Sequence, residues 1–75
     1  MRLAFAPFGR DLVVTEVAAD EKVRRHLESL GIMPGCTLRS LYDNAGDVIV
    51  RIGEGKLALG KSVAVKIEVS PEGGE

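Results

Sequence analysis

Few residues of this sequence can form cross-links, bind metal or stack on a ligand. The 75 residues include one cysteine, one histidine, two phenylalanines, one tyrosine and no tryptophan. Since the lone Cys36 has no partner for an internal disulfide, the composition suits a reducing compartment.

Long hydrophobic runs are also missing. The apolar N-terminal segment 3–8 is interrupted by Pro7, and it is shorter than the roughly 7–15 apolar residues of a signal peptide. No segment approaches the roughly 20 apolar residues that a membrane-spanning helix requires. We therefore expect a cytoplasmic protein that reaches a membrane only through a partner.

The chain has no excess of charge of one sign. Lysine and arginine number 10, and aspartate and glutamate number 11, so the net charge is −1. Nucleic-acid binding typically uses a basic surface and, for single strands, aromatic stacking platforms. Phe5, Phe8 and Tyr42 are the only aromatic residues. Nucleic-acid binding is therefore the least favoured of the functions considered for this chain, and we expect no nucleic-acid partner.

Catalytic and metal-binding patterns are absent as well. None of the serines lies in a nucleophile motif, and no glycine-rich phosphate-binding motif occurs. His26 and Cys36 are ten positions apart, and they could meet beside Met33 only across a turn. A solvated histidine and a half-buried thiol are the simpler interpretation, because metal centres need clustered ligands. We predict no enzymatic activity, no cofactor and no metal site.

What remains is enough for one small folded domain. Forty-five per cent of the residues are hydrophobic, which suffices for a packed core. The length fits a single domain over 1–75. We expect an ordered core over 3–69 and a flexible, polar tail over 70–75.

Short β-branched segments between glycines and prolines predict a mainly β fold. The predicted strands are 12–17, 37–42, 47–52, 56–59 and 65–69. We expect an extended leader over 3–8, loops over 43–46 and 53–55, and a single turn over 60–63. A bulge near Thr15 or Glu16 would bring the out-of-phase Val17 back to the core. Five short antiparallel strands of this kind favour a small closed or half-closed barrel.

One helix is predicted, over 20–30, after the first strand. Asp20 suits the N-cap, and Val23, Leu27 and Leu30 form a single apolar stripe at i, i+4 and i+7. Gly31 is expected to end the helix in a left-handed conformation.

The residues after the helix predict a tight exit. In a Schellman motif Ile32 would contact Leu27 across the helix end. Met33-Pro34-Gly35-Cys36 fits a type II turn, because proline suits its second position and glycine its third.

The helix exit also carries a family resemblance. Its pattern is L-x-x-L-G-[LIM]-x-P-G, formed by Leu27, Leu30, Gly31, Ile32, Pro34 and Gly35. This pattern, with the leader, the central hairpin and the closing strands in the same order, resembles the ferrous-iron transport protein A family. The resemblance extends over 3–69. Three features depart from the family pattern and leave the binding details open. The hairpin loop lacks the proline often found just before its Gly-Asp, Gly60 stands where the family usually has a basic residue, and Cys36 replaces a more usual small hydroxyl or acidic residue.

The resemblance implies a fold and a partner. The fold would be an SH3-like barrel of about five short antiparallel strands, with one helix inserted after the first strand. The protein would be a cytoplasmic accessory protein of bacterial ferrous-iron uptake, and its partner would be the FeoB-type membrane GTPase that transports the iron. The alternative is a regulator-type module, as in the C-terminal domain of metal-dependent repressors, which binds a proline-containing peptide or another domain.

A docking surface is predicted around the helix exit and the hairpin tips. Its residues are Met33, Arg39, Arg24, Arg25, Lys56 and Lys61. Met33 offers an adaptable apolar contact and the cations would meet an acidic partner. Solvated cations on a helix and strand surface are the competing interpretation. A weak homodimer is a further alternative.

Overall fold

The computed structural model describes residues 1–73, which fold as one five-stranded antiparallel sheet with a helix after its first strand. The elements are a 3-10 helix Leu3–Phe5, β1 Asp11–Val17, α1 Glu21–Ser29, β2 Thr37–Asn44, β3 Asp47–Ile52, β4 Gly55–Gly60, α2 Lys61–Ala64 and β5 Ile67–Pro71. The spatial order is β4-β3-β2-β1-β5, so β4 and β5 are the edge strands. The predicted strand number and helix position are confirmed.

Alternate strand residues form an aliphatic core. The fully buried side chains include Leu12, Val14, Leu38, Val48, Val50, Ile67 and Val69. All three aromatic side chains are exposed, at 73% for Phe5, 51% for Phe8 and 47% for Tyr42. The core therefore depends on branched aliphatic residues, which pack well on a pleated surface.

Two bulges bend the sheet. One falls between Val14 and Glu16 on β1 where it pairs with β5, as the phase of Val17 predicted. The other falls between Ser40 and Tyr42 on β2 where it pairs with β3. A bulge inserts one extra residue and increases the local twist, and the two bulges help the sheet to curl around its core.

Helix α1 begins and ends as its sequence predicts. The Asp20 carboxylate accepts a hydrogen bond from the Val23 amide at 2.9 Å, which makes it the N-cap. At the other end, Gly31 has φ +94° and its amide donates to Glu28 at 3.0 Å, while the Ile32 amide donates to Leu27 at 2.9 Å. These two bonds define the Schellman motif.

The turn after α1 is joined to β1. The Cys36 amide donates to the Met33 carbonyl at 3.0 Å, and Gly35 has φ +96°, as a type II turn requires. The Gly35 amide also donates to the Val14 carbonyl at 2.8 Å, and the Val14 amide donates to Cys36 at 2.9 Å. The turn therefore holds the exit of the helix against the first strand.

The leader and the central hairpin differ from prediction. The segment predicted as extended contains the 3-10 helix Leu3–Phe5, which buries Leu3 in the core. The predicted four-residue loop is a two-residue turn, because β2 continues to Asn44. Ala45 and Gly46 have φ +53° and +91°, the combination of a type I′ hairpin turn. The twist of a type I′ turn matches that of the strands, which explains why pairing continues to the tip.

The last strand also differs. Val65 ends α2 and does not open β5, and β5 begins at Ile67. Ser70 and Pro71, predicted to belong to a flexible tail, pair with Val13 and Leu12 of β1. Proline is tolerated there because β5 is an edge strand. Residues 72–73, which also belong to the predicted tail, form a turn. Gly74 and Glu75 lie outside the described residues.

Within residues 1–73, no helix is both long and apolar enough to cross a membrane. The longer of the two α-helices has nine residues.

Candidate functional site

An apolar groove of about 620 Å³ runs between α1 and β4, and we call it the helix groove. Its lining residues are Lys22, Val23, His26, Leu27 and Leu30 from α1, Leu57, Ala58, Leu59 and Gly60 from β4, and Val63 from α2. The apolar stripe of the helix forms one wall, and Lys22 and His26 are its polar members.

The helix groove follows the edge of the sheet. Four consecutive residues of β4 line it, so it runs along the strand rather than over one of its faces. Within residues 1–73, β4 pairs only with β3, and an edge strand presents unpaired backbone N–H and C=O groups. An apolar wall beside such an edge is the arrangement that binds extended peptides by strand addition.

The helix exit widens the apolar surface. Leu30 is 36% exposed and Met33, three residues later, is 40% exposed. Val23 is only partly buried against the core, whereas Leu27 is fully buried. The helix thus uses Leu27 for folding and leaves the ends of its stripe open to solvent.

A second surface lies on the outer face of the sheet, where the strand register aligns four charged residues. Asp11 pairs with Arg39, Arg39 with Arg51, and Arg51 with Lys56, across β1, β2, β3 and β4. We call Arg39, Arg51 and Lys56 the cation row. Their neighbours in sequence Leu12, Leu38 and Val50 point into the core, so the row faces outward.

The cation row borders an open cleft of about 350 Å³. Its lining residues are Asp11, Thr37, Leu38, Arg39, Arg51 and Gly53. Asp11 is paired with Arg39, whose Nε lies 2.8 Å from the Asp11 Oδ1. This hydrogen bond, together with the negative charge of Asp11, raises the pKa of Arg39 above its usual value.

The six residues predicted to dock a partner lie in several places. Met33 lies at the helix exit, and Arg39 and Lys56 belong to the cation row. Arg24 and Arg25 lie on α1 but do not line the helix groove, and Arg25 pairs with Glu21 at 2.9 Å.

Lys61 lies apart from the cation row. Its Nζ is 4.0 Å from Asp43 on β2, near the tip of the β2–β3 hairpin. Lys56 lies near the other end of β4, roughly 16 Å away at the usual rise of an extended strand. The structure therefore brings Arg39 and Lys56 together through Arg51 and leaves Lys61 at the far end. Contact of any of the six with a partner stays a prediction.

Arg51 and the β4 side of the helix groove were not predicted as site residues. Alternation along β3 indicates that Arg51 points away from the core. That Arg39 and Lys56 lie beside Arg51 can be known only from the strand register, and the bulge on β2 shifts that register. Leu57 and Ala58 look like ordinary strand residues, since the sequence does not show that β4 is an edge beside α1.

Among the described residues, no group of three or more His, Cys, Asp or Glu side chains could hold a metal ion. His26 lines the helix groove, while Cys36 packs against the core. One polar side chain is unusual: Ser40 is fully buried, and its hydroxyl has no hydrogen-bond partner within residues 1–73.

Five antiparallel strands around an aliphatic core, with a helix inserted after the first, define a small SH3-like barrel. The model of the FeoA domain family matches residues 1–71. The chain therefore belongs to the FeoA domain family, and the predicted resemblance and fold class are confirmed. Proteins of this family take part in ferrous-iron transport.

Known proteins of similar sequence and structure agree with this assignment. A protein provisionally named Fe(2+) transport protein A from Methanocaldococcus jannaschii is 33% identical over 67 residues, which cover 89% of this chain and 82% of the relative. The solution structure of a FeoA protein from Chlorobium tepidum is similar with a TM-score of 0.89 and 30% identity, covering 100% of this chain and 73% of that one.

The same fold occurs inside a larger regulator. A manganese-dependent transcriptional repressor in complex with manganese is similar with a TM-score of 0.85 and 29% identity. The match covers 95% of this chain but 36% of the repressor chain. The module is therefore found both in small iron-transport proteins and as one part of a regulator.

Proposed function

We propose that this chain is a cytoplasmic accessory protein of ferrous-iron uptake, which acts by binding the cytoplasmic part of a FeoB-type membrane GTPase. Family membership supports the pathway. The observation that carries the binding role is the helix groove, an apolar surface beside an unpaired strand edge.

The helix groove has the properties of a docking site for a protein segment. Its exposed apolar side chains, such as Leu30 with Met33 beyond it, would leave water on binding, which is the main favourable term in association. The edge of β4 can supply backbone hydrogen bonds to an extended segment. The cations predicted to contact the partner would then act at the borders of this surface.

The first test is capture of the transporter's purified cytoplasmic domain, with and without GTP. Ala58 is exposed and lines the helix groove, so Ala58→Glu places a charge in the groove without entering the core. The matched control is Ala18→Glu, at an exposed alanine outside the groove. We expect Ala58→Glu to abolish capture and Ala18→Glu to retain it. Equal capture by both variants would place the docking surface elsewhere.

The second test addresses the predicted docking residues. The paired change Met33→Asp with Arg39→Glu should abolish capture and impair iron uptake, while circular dichroism stays unchanged. Both side chains are substantially exposed, so the fold should tolerate the changes. Retained capture would remove these two residues from the docking surface.

A second candidate function is a regulator-type module, and the similarity to the manganese-dependent repressor favours it. In that case the helix groove would take a proline-containing peptide or a neighbouring domain. Binding of a proline-rich peptide, competed by Ala58→Glu, with no capture of the transporter domain would support this alternative. Self-association that Ala58→Glu prevents would instead indicate a homodimer through the groove.

A further inference from the structure

We propose that the cation row binds an acidic segment of a protein partner through Arg39, Arg51 and Lys56. The inference rests on the proposed docking function for the identity of the partner, the transporter's cytoplasmic domain. Its chemical basis is independent of that function and lies in the register, the pairing and the cleft beside the row.

The register places like charges directly opposite one another. Arg51 on β3 faces Arg39 on β2 and Lys56 on β4. Directly opposite side chains on antiparallel strands have Cβ atoms roughly 4.5–5.5 Å apart, and like charges at that spacing destabilise the sheet. A neutral or acidic residue at position 51 would remove the repulsion.

The charges of the row are only partly compensated within the protein. The Nε of Arg39 donates to Asp11, which leaves the terminal guanidinium nitrogens of Arg39 without a hydrogen-bond partner in the described chain. Over residues 1–73, no acidic side chain forms an ion pair with Arg51 or Lys56. A carboxylate of a partner protein would therefore find hydrogen-bond donors that are already aligned and have no partner within residues 1–73.

The cleft beside the row has room for a carboxylate side chain. Gly53 forms part of its wall, and a Cβ placed there would touch nothing within 4 Å. Two guanidinium groups border the cleft, and an arginine can bind a carboxylate with two parallel hydrogen bonds. Lys56 extends the row to the edge strand, where a second carboxylate of the same segment could bind.

The surroundings favour carboxylates over phosphates. Asp11 lines the same cleft, and its negative charge would repel a phosphate dianion more than a single carboxylate. Three cations across three strands are too few for the extended backbone contacts of nucleic acid, and the whole chain has a net charge of −1. An acidic protein segment carries single negative charges at intervals along its length, and this spacing matches the three cations aligned across the strands.

The test uses the full chain labelled with ¹⁵N and a blocked peptide of alternating glutamate and serine. We expect amide shifts centred on Arg39, Arg51 and Lys56, and binding that weakens as salt screens the charges. Arg51→Glu should weaken binding at least about tenfold, since one reversed charge repels the peptide and pairs with its neighbours. The matched control is Lys66→Glu, which reverses an exposed lysine outside the row and should leave binding unchanged.

Inorganic phosphate and a short single-stranded DNA serve as comparison ligands. Tighter binding of either one at the row, or no peptide shifts at the row, would overturn the inference. If the peptide binds but the wild-type protein fails to capture the transporter's domain, the docking function fails while the chemistry of the row stands. If wild type and Arg51→Glu capture that domain equally, the docking function stands and its assignment to the row is wrong.

Discussion

The turn that ends α1 and the cation row on the outer face of the sheet differ in how completely their groups are paired. At the turn, the amides of Gly31, Ile32, Gly35 and Cys36 all donate to carbonyls, at 2.8–3.0 Å. In the row, only Arg39 has an ionic partner within residues 1–73. The two regions adjoin, since the turn leads directly into β2, which carries Arg39.

The paired groups of the turn stabilise the fold, whereas the unpaired cations of the row are available for binding. Satisfied backbone groups and buried side chains stabilise one conformation, and few changes at the turn should be tolerated. Adjacent unpaired cations contribute nothing to folding and oppose it slightly. Changes at the turn should therefore reduce stability. Changes at Arg51 and Lys56, which have no ion pair within residues 1–73, should preserve or raise stability and alter binding.

The largest effect is expected for Ile32→Ala. Ile32 is fully buried next to the helix end, and removing its side chain leaves a cavity in a small core. Such truncations cost about 2–5 kcal/mol. Thermal unfolding should show a large drop in Tm, or loss of the folded state, and Ile32→Val should lose far less. A small change for Ile32→Ala would mean that the helix end does not depend on this contact.

The next effect concerns the backbone of the turn. Gly31 has φ +94°, and a Cβ there would lie 3.6 Å from Ile52 Cγ2, which is ordinary contact. The cost of Gly31→Val is therefore backbone strain, roughly 2 kcal/mol or somewhat more for a β-branched residue. Gly31→Asn should lose less, because asparagine tolerates the left-handed region. Equal melting temperatures for the two variants would show that backbone strain at position 31 does not determine the loss of stability.

A smaller effect of opposite sign is expected inside the barrel. The buried Ser40 hydroxyl has no partner among the described residues, and an unpaired buried hydroxyl costs about 1–3 kcal/mol. Ser40→Ala should raise stability by about 1 kcal/mol in chemical denaturation, because the lost packing is small. Ser62→Ala, at an exposed serine, should change stability by less than about 0.5 kcal/mol. A less stable Ser40→Ala would show that the hydroxyl is paired.

The smallest effect is expected in the row. Arg51→Glu would place an acid between Arg39 and Lys56 and convert two like-charge pairs into opposite-charge pairs. We expect a rise in Tm of about 1–4 °C at low salt, shrinking as salt is added. A lower Tm, or a rise that salt does not affect, would contradict repulsion within the row.

The sequence predicts the turn far better than the row, for a physical reason. The N-cap at Asp20, the left-handed Gly31 and the type II turn are each decided by a few neighbouring residues. The opposition of Arg39, Arg51 and Lys56 depends on the pairing of distant strands and on a bulge between Ser40 and Tyr42. Local patterns do not contain that information.

The remaining differences have similar causes. The leader forms a 3-10 helix because Leu3 reaches the core. The strand β5 continues through Pro71 because β1 has a free side for pairing. The helix groove exists because β4 is an edge strand next to α1, a position that only the sheet order defines. In each case tertiary contacts decided a segment that local propensity describes incompletely.

We propose that this FeoA-family chain docks on the transporter through the helix groove and the cation row. The most direct measurement is a titration of the ¹⁵N-labelled protein with the unlabelled cytoplasmic domain of the transporter. We expect shifts or line broadening at groove residues such as Leu30 and Ala58 and at Arg51, with little change along β5. No change at saturating partner, or changes confined to β5, would contradict the account.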